Sequence, residues 1–279
     1  MTLESYKKKK EYLICVDSDG CAMDTMDIKH INCFGPCMVD EWGLDAWRDE
    51  ILSRWNDINL YTITRGINRF KGLAMALEEI DKKYTKIDGI EHLVTWAEIS
   101  PELSNSAVQR EIDAGGDAIF KKALSWSVAV NRSINSLPEE KKLPFPLARE
   151  ALEFAHGYAD VAIVSSANLE AVIEEWEKHH LLEHTDIVLA QNIGSKAFCI
   201  GELLKKGYER SKVLMCGDAL GDMQAAEKNG VYYYPILVKN EKASWQELMD
   251  VGLQRLLSGT YAGEYQSAKR KQFLKNLGE

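Results

Sequence analysis

Two aspartates with one residue between them, Asp17 and Asp19, follow the apolar run at 13–16 and precede Gly20. Two more, Asp218 and Asp222, follow a second apolar run at 213–216, with Gly217 just before the first acid. Ser165 and Ser166 end a third run, 161–164. Lys196 opens a helical stretch, with Ser195 as its N-cap. Carboxylates gathered in one place repel one another and need a cation. A few hard oxygen ligands suit Mg²⁺, which keeps several of its waters. A hydroxyl, backbone N–H groups at a helix N-terminus and a lysine suit a phosphate. A carboxylate can attack a phosphoryl group as a nucleophile. A second carboxylate two residues on can protonate the leaving group and then activate water. The cation and the lysine would neutralise charge on the transferring oxygens.

These residues converge only if the apolar runs are neighbouring strands. The C-terminal half alternates accordingly. Runs at 161–164, 187–190, 213–216 and 231–234 are separated by helical spacing at 169–182, 196–206 and 222–228, the last stopped by Asn229-Gly230. Strands alternating with helices mean βαβ units and a parallel sheet. Continuous apolar runs suit strands covered on both faces. In such sheets ligands bind outside the carboxyl ends of the strands, where all of these polar residues lie.

Between residues 23 and 145 the pattern changes. Helical stretches at 73–83, 103–114 and 117–134 appear with no βαβ unit, and five of the seven tryptophans fall here (Trp42, Trp47, Trp55, Trp96 and Trp126). Pro138, Pro144 and Pro146 punctuate the end of the segment. Asp17 and Ser165 are 148 residues apart, too far for a single βαβ crossover. The expected fold is an α/β protein: a Rossmann-like three-layer α/β/α core with a parallel sheet, residues 1–22 and 146–279. A helical cap domain, residues 23–145, is inserted after the first strand.

Asp17-Ser18-Asp19-Gly20 resembles the first motif of the haloacid dehalogenase superfamily. The run ending in Ser165 is similar to its second motif, and Lys196 to its third. Gly217-Asp218-Ala219-Leu220-Gly221-Asp222 is similar to the fourth, GDxxxD, and lies 22 residues after Lys196. The segment from Gly20 to Thr25 resembles the turn leading into the family's helical cap. Any one motif is weak, since Asp, Ser and Gly favour turns in any case. The four in order carry the resemblance, which covers the core and not the cap.

The resemblance implies Mg²⁺-dependent hydrolysis of a small phosphate monoester through an aspartyl phosphate on Asp17. Asp17 would be nucleophile and metal ligand. Asp19 would be general acid and base, and would lend its backbone carbonyl to the metal. Ser165 and the N–H of Ser166 would hold the phosphoryl group beside Gly20, and the two adjacent serines could exchange roles. Lys196 would bridge Asp17 and the phosphoryl oxygens. Asp218 would ligate Mg²⁺, with Asp222 in support directly or through water. The presence of Asp19 favours phosphoryl over halide chemistry. Three rivals stand beside this reading. One is a phosphomutase of the beta-phosphoglucomutase type. Another is a phosphonatase-like C–P hydrolase using a cap lysine such as Lys29 or Lys71. The third, a non-catalytic binding protein, would show a missing motif residue, and none is missing.

Composition narrows the partners. The chain has 279 residues, 34 basic and 43 acidic, for a net charge of −9, with 46% hydrophobic and 28% charged residues. That is ordinary for a folded chain, and it argues against disorder and against a nucleic-acid partner. No apolar run approaches the roughly 20 residues of a membrane span. Lysines 7–10 read as a solvated start, and the apolar run after them reads as too short for a signal peptide. Cys15, Cys21, Cys33, Cys37, Cys199 and Cys216 form no C-x-x-C pair and read as reduced thiols of a cytoplasmic protein.

Arg65 and Arg69 are spaced i,i+4, so they would share a helix face and reach an anionic substrate, or else be a solvated or salt-bridged face. His180 and His184 have a zinc-like spacing but read as surface residues. Tyr261 and Tyr265 lie in the long tail, where they would pack on the core or form a homodimer contact. The expected partner is a small phosphorylated metabolite, with no nucleic acid and no membrane.

Overall fold

The computed structural model describes residues 2–279. It divides into two compact units. One comprises Met1–Met26 with Glu139–Glu279, and the other is Asp27–Pro138.

The first unit is built on five parallel strands: β1 (Tyr12–Val16), β2 (Ala159–Val164), β3 (Ile187–Leu189), β4 (Val213–Gly217) and β5 (Tyr232–Pro235). Their order in the sheet is β3-β2-β1-β4-β5. The chain steps outward from β1 to β3, then crosses back to lay β4 on the other side of β1. β1 therefore sits at the reversal of strand order, where open α/β sheets form their ligand crevice. Register aligns the ends: Val16 lies opposite Ile163 of β2 and Cys216 of β4.

Both faces are covered. Successive side chains along a strand point to opposite faces. Ile14, Val16, Val161, Ile163, Leu214, Cys216 and Tyr234 pack with the helices Ala148–Tyr158 and Leu169–Lys178 and with Trp245, Leu248 and Tyr261. Tyr233 faces the other way, against Phe273 of the helix Glu264–Asn276, with ring centroids 5.3 Å apart. Together these make the expected three-layer α/β/α arrangement. Tyr261 settles onto the core: its hydroxyl donates to the Tyr233 carbonyl at 2.8 Å and its ring stacks on Tyr232. The lysine-rich start keeps Lys7 and Lys9 exposed, as expected, while its backbone is tied down. The Lys9 and Lys10 N–H groups donate to the buried Asp160 carboxylate at 2.8 and 3.0 Å.

The second unit is helical throughout. An interlocked aromatic core holds it: Trp55 against Trp126, Phe70 against Trp96 and Trp126, and Trp96 against Phe120, all edge-on at 5.6–6.1 Å. Edge-to-face contacts of this kind are preferred by the ring quadrupole. The boundary between units lies four residues later than the sequence suggested at its start, and seven earlier at its end. Backbone pairing is the reason. Met23 bridges to Pro144, and the Asp24 N–H donates to the Leu143 carbonyl at 2.8 Å.

Two helices differ from expectation. The stretch expected over 169–182 ends at Lys178, because His180 takes a left-handed conformation (φ 59°). His180 and His184 therefore share no helix face; His180 pairs with Glu183 and the His184 ring lies against His156. Arg65 lies in the turn before the helix Arg69–Lys83, which Asn68 caps by accepting from the Phe70 N–H. The expected shared helix face of Arg65 and Arg69 does not form, since Gly66 (φ 69°) and the Asn68 cap end the turn between them.

Candidate active site

β1 delivers Asp17. The Asp17 N–H donates to the Cys216 carbonyl at 3.0 Å, so strand pairing with β4 continues into the first residue of the loop. Gly20 turns the chain with φ 81° and its N–H donates to the Met23 carbonyl. A left-handed residue there favours glycine. Asp19 sits partly buried within this turn and accepts a short hydrogen bond from the Thr25 hydroxyl.

β4 delivers Asp218, and the helix Leu220–Asn229 that follows delivers Asp222. Asp222 reaches back to accept from the Ala219 N–H at 3.1 Å, satisfying one of the free donors at the helix start. Gly217 is required for that return. A Cβ on it would lie 2.3 Å from the Asp222 carboxylate carbon. The loop after β3 delivers Lys196 at the first position of the helix Lys196–Leu204, with the Ser195 hydroxyl capping it by accepting from Phe198 N–H at 3.2 Å.

The three carboxylates Asp17, Asp218 and Asp222 come together, each buried, with one oxygen apiece lying within 4.8 Å of the others. The Lys196 ammonium donates to Asp17 at 2.8 Å and to Asp222 at 2.6 Å. Burial is the largest influence on Asp17 and pushes its carboxyl up to about 7; Lys196 opposes this and Asp222 adds to it. Burial also raises Asp222, with Lys196 opposing and Asp218 adding. For Lys196 burial acts to lower the ammonium pKa, but Asp17 and Asp222 outweigh it and hold the group above the ordinary lysine value. Three acids against one ammonium leave excess negative charge in a buried place. A hard divalent cation fits this all-oxygen donor set.

β2 delivers Ser165, whose N–H donates to the Leu189 carbonyl of β3. Its hydroxyl is buried and accepts from the Ala167 N–H at 3.1 Å, while Ser166 is exposed.

The two expected arginines belong to the helical unit and have partners there. Arg65 is buried, donates to the Leu60 carbonyl at 2.7 Å and lies 3.7 Å from the Asp27 carboxylate. Arg69 donates to the Ser127 hydroxyl at 3.0 Å and the Asn131 side-chain amide oxygen at 2.7 Å, and lies over the Phe34 ring. Its neighbours are neutral, and burial alone lowers its pKa. Two contacts at the first loop escaped the sequence reading: Thr25 on Asp19, and the Trp176 indole on Ser18. Neither follows from spacing, because each depends on how the turn and a distant helix pack.

The profile described as haloacid dehalogenase-like hydrolase matches residues 80–235, more than half of the chain. The chain belongs to this hydrolase family. The match contains Ser165, Lys196, Asp218 and Asp222 and begins after Asp17. No curated protein matches the chain significantly by sequence.

Among solved structures, the hydrolase is similar to a candidate beta-phosphoglucomutase from Thermotoga maritima. The two are 16% identical with a TM-score of 0.50, over 87% of this chain and 99% of that one. At that identity the likeness shows the shared fold. It is also similar to a haloacid dehalogenase-like family protein from Streptococcus pneumoniae, at 13% identity, over 84% and 90% of the two chains, with a TM-score of 0.47. A third is a magnesium-bound candidate hydrolase from Bacillus subtilis, at 12% identity, over 81% and 86%, with a TM-score of 0.46. No helix among the described residues is long and apolar enough to cross a membrane.

Proposed function

We propose that this hydrolase is a Mg²⁺-dependent phosphatase that cleaves a small phosphorylated metabolite through an aspartyl phosphate on Asp17. The observation that carries the reading is the buried triad of Asp17, Asp218 and Asp222, with Lys196 bridging Asp17 and Asp222. Asp17, Asp218 and Asp222, with the Asp19 carbonyl, would hold the metal. When bound, Mg²⁺ supplies positive charge to the phosphoryl oxygens and to the carboxylate cluster.

The remaining steps belong to the chain's own side chains. An Asp17 oxygen attacks phosphorus, and the bond from phosphorus to the ester oxygen breaks. Asp19 gives its proton to the departing oxygen. Water then attacks the same phosphorus, Asp19 takes its proton, and the bond to Asp17 breaks to release phosphate. Asp19 leaves its Thr25 hydrogen bond to do this. Ser165 and the Ser166 N–H hold the phosphoryl oxygens beside Gly20, and Lys196 balances their charge while favouring the ionised form of Asp17.

In this reading the helical unit is the cap that selects substrate, and Arg69, with only neutral partners, is its cation for an anionic group. Arg65, already committed to Leu60 and Asp27, is left out of that role. The substrate diffuses freely in the cytoplasm, and the acidic surface disfavours polyanionic partners.

The test is a panel of phosphate monoesters with Mg²⁺ and detection of released phosphate. Phosphate release that stops on chelation and in Asp17→Asn supports the reading. Transfer of phosphate between positions of one sugar, without release, would replace it with a phosphomutase.

A further inference from the structure

Ser18 stands between the two carboxylates assigned to chemistry, and it is fully buried. Ser18 continues the even-numbered positions of β1 into the turn that follows the strand. Ile14 and Val16 share that parity, and their face packs with Trp176 of the helix Leu169–Lys178. The Trp176 indole N–H donates to the Ser18 hydroxyl at 2.9 Å, and Trp176 is itself fully buried. Each satisfies the other where water is excluded, as buried polar groups require.

Ser18 also organises the loop through its backbone. Its N–H lies close enough to the Asp17 carboxylate to lower that group's pKa. Its carbonyl accepts from Cys21 N–H at 3.2 Å and Met23 N–H at 2.9 Å. Every group of Ser18 named here thus holds the loop, and only the side-chain bond ties it to a different element. That element is the helix following β2 and Ser165.

We propose that Trp176 is a positioning residue: through the Ser18 hydroxyl it fixes the peptide planes on either side of Ser18, and so the distance and angle between the Asp17 and Asp19 carboxylates. The proposal rests on reading Asp17 and Asp19 as the reacting pair. Without the bond the nucleophile and the acid lose their mutual alignment, while the residues that hold substrate are untouched. The loss falls on kcat rather than KM.

Trp176→Phe removes the donor and keeps an aromatic ring; Ser18→Ala removes the acceptor. With p-nitrophenyl phosphate and Mg²⁺, each lowers kcat roughly tenfold and leaves KM within about twofold, as expected for a small misplacement of reacting groups. The double variant loses no more than the worse single one, because the two side chains form one link. Additive losses in the double variant, or wild-type kcat in Ser18→Ala, overturn the proposal and leave Trp176 a packing residue. If Trp176→Phe fails to fold, as read by circular dichroism, Ser18→Ala decides alone. Asp17→Asn is measured alongside. If it keeps turnover, the reading of the reacting pair fails. If it is inactive while Ser18→Ala has wild-type kcat, only the Trp176 link fails.

Discussion

Lys196 and Arg65 are both cations withdrawn from solvent, yet their surroundings differ. Lys196 meets Asp17 and Asp222, which come from elements far apart in the chain, with Asp218 beside them. Arg65 meets the carbonyl of Leu60, five residues away, and the part-exposed carboxylate of Asp27. The first arrangement gathers more carboxylate charge than Lys196 balances, which a metal cation can answer. The second closes a turn. Around Arg65 the stability of the helical unit comes from Trp55, Trp126, Phe70 and Trp96, which carry no chemistry. On the proposed reading the reacting groups lie in the α/β unit and the interlocked rings in the helical unit, and substitutions should separate their effects.

The largest effect is expected at Asp17. Asp17→Asn should lower turnover by about 10³-fold or more if Asp17 is the nucleophile proposed above. Melting temperature should hold or rise, because a buried carboxylate that burial disfavours is gone. A variant that unfolds instead would erase the contrast between the units. Next comes the aromatic core. Trp126→Ala should cost about 3–5 kcal/mol, the usual loss for a large core ring, read by urea denaturation. A cost near zero would show that the interlocked rings are not what holds the helical unit.

Gly217→Ala lies between the two classes. Its Cβ would meet the Asp222 carboxylate, so about 1–3 kcal/mol of strain is expected, along with weakened Mg²⁺ binding. Urea denaturation of the metal-free variant checks the first, and calorimetric titration with Mg²⁺ the second.

A smaller effect follows from Asp17's pKa. Its folded value, about 7, lies above the ordinary carboxylate value. In the metal-free protein its contribution to stability is thus present below the ordinary value and lost as pH rises through about 7. A cation reverses that loss by favouring the ionised form. The rise in melting temperature caused by Mg²⁺ should therefore be larger at pH 8 than at pH 6, and an equal rise at both would remove Asp17 from the ligand set. The smallest effect is at His180, exposed and paired locally with Glu183. His180→Ala should change stability by about 0.5 kcal/mol or less and leave turnover alone.

Much of this was legible in the residues themselves. The apolar runs ending in Asp17, Ser165 and Asp218 place strands and polar ends together, because a strand buried on both faces must be apolar and must stop where polarity begins. Lys196 was legible from order and spacing. Arg65 and Arg69 were misread as one helix face, since i,i+4 spacing says nothing of a turn that Gly66 and Asn68 impose between them. The 169–182 helix was read too long because its apolar spacing continues past the backbone reversal at His180.

The identity of the carboxylates, the lysine and the strand ends was determined by sequence alone, for these are local properties of residue type and hydrophobic pattern. Which carboxylates share Lys196, and that the Trp176 indole grips Ser18 from behind, was decided only by the tertiary structure. Strand order and helix packing join residues more than 150 positions apart, and no local pattern encodes such pairings.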